Sequence, residues 1–313
     1  MLKLKRVFDR PVLEPISGNK WESRAVLNPA VIRVNNEVHV YYRAVEGDNF
    51  SSIGYAKFDL EGNLIYRHNN PVLKREFPEE SHGVEDPRIV FFEGNYYMFY
   101  VAYDGNTTKV GIAKTQDLVN FTKLGFIKLN KFDKDAFIFP ERINGNIIYV
   151  HRIDPDIQYA YFNSIEELLN YSEEEWDEYI KNIDKYTILR PKYNWENMKI
   201  GGGVPPIKTD FGWLFIYHGV EKLNDKNDRI YRAGVALLDL EDPAKVIGRL
   251  DYPILEPQME WEIKGDVNNV VFPTGHYIYN DAIYVFYGCA DKVIGLAYAK
   301  ISDYYDAFFV NLS

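Results

Sequence analysis

The chain is nearly without cysteine: of 313 residues only Cys289 carries a thiol. One cysteine forms no intrachain disulfide, so the fold must be held by its core alone. The sequence also lacks any run of eighteen apolar residues, which excludes a membrane-spanning helix. Its first eleven residues hold Lys3, Lys5, Arg6 and Arg10 but no apolar stretch, so no secretory signal is read there, and a cytoplasmic location is expected. The sequons at Asn106 and Asn120 then carry no meaning. Cations are in deficit: Lys and Arg number 36 against 46 Asp and Glu, for a net charge of −10. Binding along a nucleic acid needs a dense cationic surface, so that class of partner is excluded, as is a membrane surface. A local cationic pocket is not excluded. There is no cluster of Cys and His with metal-ligand spacing, no GxSxG element, and no P-loop or dinucleotide fingerprint, so neither metal nor cofactor is expected.

Aromatic residues are abundant instead, 16% of the chain, with 25 Tyr and 19 Phe. These favour half-buried strands. Five segments share one outline: a proline near a strand start, an apolar run, a turn, then an aromatic strand. They begin at Asn28-Pro29, Asp86-Pro87, Phe139-Pro140, Val204-Pro205 and Phe272-Pro273, and the prolines are 58, 53, 65 and 68 residues apart. Turns at Asn35-Asn36, Glu93-Gly94-Asn95, Asn144-Gly145, Asp210-Phe211-Gly212 and Asn280-Asp281 close each hairpin. A third strand follows each, as at Ile53-Gly54-Tyr55-Ala56 and Val110-Gly111-Ile112-Ala113. Three strands and a connecting fourth, five times over, predict an all-β chain folded as a five-bladed β-propeller, a single domain over residues 1–313. A β-sandwich is the alternative. One helical insertion is expected around residues 164–183, where Ser164 to Glu167 and Ser172 to Glu175 have the outline of capping boxes.

In a propeller the equivalent ends of all blades surround one axial mouth. Asn28, Arg43, Asp86, Arg152, His218 and Asp291 are therefore expected to converge there, although far apart in sequence. Within Glu85-Asp86-Pro87-Arg88, alternation along the strand lets only one of the two carboxylates face the axis. Asp86 is either a general acid with a raised pKa or a turn residue paired with Arg88. Arg152, Lys199 and His218, with Lys134 as a fourth, form a cation set suited to an anion such as phosphate. Gly201-Gly202-Gly203 is read as permitting close approach of a ligand to the backbone.

These residues resemble glycoside hydrolase family 130, the inverting β-mannoside phosphorylases and related mannosidases. The resemblance runs from about Asn28 to Asp291. It rests on Gly83-Val84-Glu85-Asp86-Pro87-Arg88, Phe139-Pro140-Glu141-Arg142-Ile143-Asn144-Gly145, His151-Arg152, Tyr193-Asn194-Trp195-Glu196-Asn197-Met198-Lys199, Tyr217-His218-Gly219 and Gly288-Cys289-Ala290-Asp291. It implies a five-bladed propeller and a glycosyl-transferring phosphorylase that uses a mannoside and inorganic phosphate and releases α-mannose 1-phosphate. It makes Asp86 the catalytic acid, acting through the mannose 3-hydroxyl. It gives Asn28, Arg43, Glu85 and Asp291 to the mannoside, and Lys134, Arg152, Lys199 and His218 to phosphate. Phosphate is already nucleophilic at neutral pH, so no second carboxylate base is needed. Homo-oligomers are common in the family. Many family phosphorylases have Arg-Asn where this chain has Lys134-Asp135, and a carboxylate beside phosphate repels it unless paired. Asp135 and Glu141 thus keep hydrolysis as an alternative, and a non-catalytic mannoside-binding propeller is a third reading. The loops Gly47 to Ser52, Arg75 to His82 and Glu221 to Arg229 are expected to select the acceptor sugar, and the linkage, β-1,2 or β-1,4, stays open.

Overall fold

The computed structural model describes residues 1–224 and 228–310. The chain forms a five-bladed β-propeller, each blade an antiparallel sheet. Blade 1 runs through Ala25–Val34, Glu37–Val45, Ser51–Phe58 and Leu64–Arg67, and blade 2 through Gly83–Phe92, Asn95–Tyr103, Thr108–Thr115 and Thr122–Phe126. Blade 3 holds Lys134–Ile138, Ile147–Arg152, Ile157–Phe162 and Thr187–Leu189. Blade 4 holds Lys199–Gly202 and Ile207–Thr209 against Gly212–Lys222, then Arg229–Leu238 and Val246–Arg249. Blade 5 takes Val271–Tyr279, Ala282–Cys289 and Val293–Lys300 from the end of the chain and its outer strand, Lys5–Arg6, from the beginning. Residues near both ends thereby share one sheet, which closes the ring. The innermost strands of neighbouring blades lie against one another around the axis.

The expected helical insertion is present as two helices, Ile165–Asn170 and Glu173–Lys181. Ser164 accepts the Glu167 N–H, and Ser172 and Glu175 form a complete capping box. Leu168, Trp176 and Tyr179 are buried against the outside of blade 3. A C-terminal helix, Ile301–Phe309, carries no sequence expectation; it packs Tyr304, Ala307 and Phe308 into the core shared by blades 4 and 5.

A polar device recurs at the rim of four blades. Glu22, Glu80, Glu196 and Glu262 are fully buried in the segments that lead into blades 1, 2, 4 and 5. Each accepts a hydrogen bond from a tyrosine of the second strand: Tyr42 at 2.8 Å, Tyr100 at 2.7 Å, Tyr217 at 2.9 Å and Tyr287 at 2.8 Å. Each also pairs with a cation: Arg67, Lys123 and Arg249 at 2.6 Å, and Arg6 at 2.7 Å. The tyrosine rings lie across Gly54, Gly111, Gly234 and Gly295 of the third strand, where an added Cβ would sit 2.3–2.6 Å from a ring atom. Blade 3 departs from this set. His151 stands at the tyrosine position, paired with Asp133 at 3.0 Å and with Tyr179 of the inserted helix at 2.9 Å. The aromatic excess is thus largely architectural.

Two details correct the repeat as read from sequence. Pro29, Pro87 and Pro273 lie within inner strands, but Pro140 follows Lys134–Ile138 and Pro205 lies between two short strands. The counterpart of Asn28-Pro29 and Asp86-Pro87 in blade 3 is Asp135-Ala136, not Phe139-Pro140. All three sit at a register shift in the inner strand. Asn28, Asp86 and Asp135 have φ of +48°, +49° and +54°. Asn and Asp tolerate this left-handed bulge, and the proline after it is optional.

Candidate active site

The register that aligns the rim also aligns the mouth. One residue beyond the tyrosine position stand Arg43, Val101, Arg152, His218 and Gly288. Three of these five blades therefore aim a basic side chain at one axial cavity of about 680 Å³. The bulged residues Asn28, Asp86 and Asp135 face the same cavity, as do Lys134, Lys199 and Asp291. Every residue expected to act as the acid or to hold mannoside or phosphate thus comes together there except Glu85, which is buried and does not line the cavity.

The first half of the cavity is built on Asp86. Its carboxylate accepts the Asn28 amide at 2.9 Å and lies 3.5 Å from Arg43. Arg43 is held by Glu85 at 2.8 Å and by the Ser51 hydroxyl at 2.9 Å. Lys134 lies 3.8 Å from the other oxygen of Glu85. Glu85 is therefore a positioning residue for two cations, and the expected alternation of the Glu85-Asp86 pair holds. Burial alone would raise the Asp86 carboxyl, but Arg43, Lys134, the Asn28 amide and Arg88 together hold it below its ordinary value. This reverses the expectation of a raised acid: without ligand, Asp86 is ionised. Asp291 carries the raised carboxyl instead. Burial, with Asp86 and Asp266 adding to it and Arg43 opposing, pushes it up to about 6. Arg88 does not pair with the Asp86 carboxylate. It donates to the carbonyls of Asp86 and Gly203, and its charge partner is Asp135 at 3.5 Å.

The second half centres on Arg152. Asp135 is 2.7 Å from its Nε, and Asp154 is 2.5 Å from its Nη1. Asp154 also holds Lys199 at 3.0 Å. Burial and then Arg152 lower the Lys199 ammonium below its ordinary value, with Asp154 opposing. His218 packs on Phe272 at 4.2 Å. Burial first, then Arg152, Arg88 and Lys199, push its imidazole well below the ordinary histidine value. It is neutral, a hydrogen-bonding group rather than the cation expected. Gly201 serves this arrangement: a Cβ there would lie 2.4 Å from the His218 ring and 2.5 Å from Asp135. Gly202 makes room for Phe137 and Gly203 for the Ile216 carbonyl. The glycine run therefore fits protein to protein, not backbone to ligand.

Four buried polar atoms around this cavity have no hydrogen-bond partner among the described residues: Asn28 Oδ1, Asp135 Oδ2, Arg152 Nε and His218 Nδ1. The Asp135–Arg152 contact is an ion pair that lacks hydrogen-bond alignment. Such atoms are costly unless something completes them. Asp135, paired with both Arg152 and Arg88, does not stand as a free repelling charge.

Some of the lining was not read from sequence. Asp154, which holds Arg152 and Lys199 without lining the cavity, was also not read, because its role depends on Lys199 being brought to it from the next blade. Residues 266–270 form a wall with Phe132, Tyr231 and Phe272. Of the loops expected to choose an acceptor, only Glu221 to Arg229 reaches this cavity, through Leu223, Asp228 and Arg229; residues 225–227 lie outside the described residues. Ser52, Arg75, Phe77 and Ser81 of the other two loops line a separate groove. Glu141 is exposed, paired with Lys208, and not part of the cavity.

Comparison with known proteins accords with this geometry. The family model described as beta-1,4-mannooligosaccharide phosphorylase matches residues 4–308. The chain belongs to glycoside hydrolase family 130. It is 40% identical to the 1,2-beta-oligomannan phosphorylase of Thermoanaerobacter sp. (strain X514) over 97% of this chain and 99% of that one. It is 41% identical to the beta-1,2-mannobiose phosphorylase of the same organism over 95% and 97%. The solved structure of beta-1,2-mannobiose phosphorylase from Listeria innocua superposes with a TM-score of 0.83 at 24% identity, covering 98% of this chain and 99% of that one, and shares the fold.

Proposed function

We propose that the protein phosphorolyses β-mannosides with inversion, releasing α-mannose 1-phosphate, and that its preferred linkage is β-1,2. The observation that carries the reaction class is the split cavity. One half presents a carboxylate on an Asn–Arg frame. The other presents Arg152, Lys199 and neutral His218 with unmet hydrogen-bonding atoms, a place for an anion. The two relatives near 40% identity, both named for β-1,2-linked mannose, support the linkage. The 313 residues work as one catalytic domain in this reading.

Asn28, Arg43 and Asp291 hold the terminal mannosyl unit. Phosphate sits between Arg152, Lys199 and His218, and its oxygen attacks the anomeric carbon opposite the leaving oxygen. The C1–O bond breaks. Asp86 gives its proton to the 3-hydroxyl oxygen while the 3-hydroxyl proton passes to the leaving sugar. Asp86 must be protonated to act. A bound phosphate anion offsets the cations that hold it ionised, and exclusion of water by the sugar adds to the effect. Asp135 keeps Arg152 and Arg88 in place. Lys134, next to Glu85 and Asp86, belongs to the acid's side of the cavity as much as to phosphate.

The test is release of mannose 1-phosphate from β-1,2-mannobiose with and without phosphate. Asp86→Asn should lower turnover by at least ~10²-fold, the lower range of general acid catalysis. Arg152→Ala should raise the phosphate KM far more than the mannobiose KM. Equal cleavage without phosphate would make the protein a hydrolase. Binding without turnover would make it a sugar-binding propeller.

A further inference from the structure

A second groove, of about 590 Å³, opens beside blade 1. Internal repetition shows what is unusual about it. Blade 4 has a corresponding groove lined by Trp195, Glu221, Arg232 and Glu256. There Arg232 fills the space between two carboxylates, 2.6 Å from Glu221 and 3.5 Å from Glu256. The register fixes the blade 1 counterparts. Gly219 faces Arg232 as Ala44 faces Ser52, each two residues beyond the rim tyrosine. Glu46 stands where Glu221 does, and Trp21 where Trp195 does. Ala233 bridges Leu255 as Ile53 bridges Leu73, so Lys74 replaces Glu256. At the position of Arg232 blade 1 has the short side chain of Ser52, and the cation beside Glu46 is Arg75, which comes from the following loop.

Ser52 is more than nine-tenths buried and lines this groove, and its hydroxyl has no hydrogen-bond partner among the described residues. A buried hydroxyl without a partner is destabilising, and a ligand hydroxyl would complete it. Around it stand a donor–acceptor pair and two apolar walls. Arg75 Nη2 lies 3.9 Å from the Glu46 carboxylate, while the Trp21 and Phe77 rings flank the opening. Flat apolar surfaces beside a hydroxyl, a carboxylate and a guanidinium match a pyranose ring, with its apolar face and several hydroxyls.

We propose that this groove is an accessory saccharide site, separate from the catalytic cavity, which binds a neutral pyranose through Ser52, Glu46 and Arg75 against Phe77. The choice of a mannosaccharide as its ligand rests on the function proposed above.

The test titrates β-1,2-mannotetraose into the Asp86→Asn protein by calorimetry, so that turnover does not intervene. Two binding events per chain are expected. Adding Phe77→Ala should weaken one of them on the order of tenfold, the equivalent of one lost ring contact. Adding Ser52→Gln, which puts a longer side chain into the groove and removes the hydroxyl, should remove the same event. In the otherwise unaltered protein, Phe77→Ala should leave mannobiose phosphorolysis unchanged. Phe77 is exposed, so this variant folds even if Ser52→Gln does not. A single binding event, or two that Phe77→Ala leaves alone, overturns the proposal. Phosphorolysis of mannobiose by the unaltered protein is measured separately. Its absence overturns the catalytic reading, whereas its presence with one binding event overturns only the accessory site.

Discussion

The rim and the mouth of this propeller are both lined with buried carboxylates and cations, yet they differ in how completely those groups are paired. Glu196 is representative of the rim. It accepts the Tyr217 hydroxyl, the Arg249 guanidinium and the N–H groups of Lys192 and Tyr193. At the mouth, Asn28, Asp135, Arg152 and His218 each keep a buried polar atom without a partner. Charge and burial are similar in the two places. Satisfaction is what separates a structural network from a binding site, because a fully paired network has nothing left to offer a ligand.

The largest effect should come from breaking the rim. Glu262 holds the Arg6 guanidinium, the Tyr287 hydroxyl and two backbone N–H groups, and through Arg6 it secures the strand that closes the ring. Glu262→Ala leaves a partly buried guanidinium without its carboxylate, a change that costs about 3–5 kcal/mol. Thermal unfolding should begin many degrees lower, while kcat and both KM values measured well below that temperature stay near those of the parent. A melting curve that does not move would show that Arg6 finds another partner and that the rim network is not what seals the ring.

Glycines sharpen the same contrast with a smaller effect. Gly54 makes room for Tyr42 at the rim and Gly201 for His218 and Asp135 at the mouth, and a Cβ would lie 2.4 Å from the nearest ring atom in each case. Both alanine variants overpack a tight site, at a cost of about 1–3 kcal/mol. Only Gly201→Ala should also raise the phosphate KM, on the order of tenfold if one hydrogen bond to the anion is lost. Steady-state kinetics at varied phosphate distinguishes them. If Gly54→Ala raises the phosphate KM as much, the two regions are not separable.

Much of this layout can be read in the sequence, and the rest is hidden for definite reasons. Turn residues and strand alternation reveal the hairpins because both are local. Asn28, Arg43, Asp86, Arg152 and His218 follow from the repeat because equivalent strand ends share one mouth. The rim device leaves a trace in Trp21-Glu22, Trp195-Glu196 and Trp261-Glu262, whose recurrence signals a repeated buried carboxylate. Blade 3 is misread by a proline because the feature that recurs there is a left-handed Asp135, and φ is not written in the sequence. The ionisation of Asp86 and the neutrality of His218 are sums over side chains from several blades. Sequence supplies the members of such sums but not the distances that set their sign.

The smallest effect tests the charge state of the mouth itself. Asp291 has its carboxyl raised to about 6, whereas the unfolded chain returns it to its ordinary value of 3.8. Between these values the folded protein keeps a proton that the unfolded chain has released. Stability therefore falls as pH rises through that window and is level above it. Asp86 has the opposite sign, since its lowered carboxyl contributes stability that is lost on acidification. Asp291→Asn removes the first effect and leaves the second. The melting temperature of Asp291→Asn minus that of the parent should climb between pH 4 and pH 6 and stay constant above. At the rim, Glu196→Gln removes a carboxylate tied to Arg249, so its difference should be negative at neutral pH. A difference for Asp291→Asn that falls with rising pH would mean that Arg43 outweighs burial at Asp291, and that the mouth holds its carboxylates as firmly as the rim does.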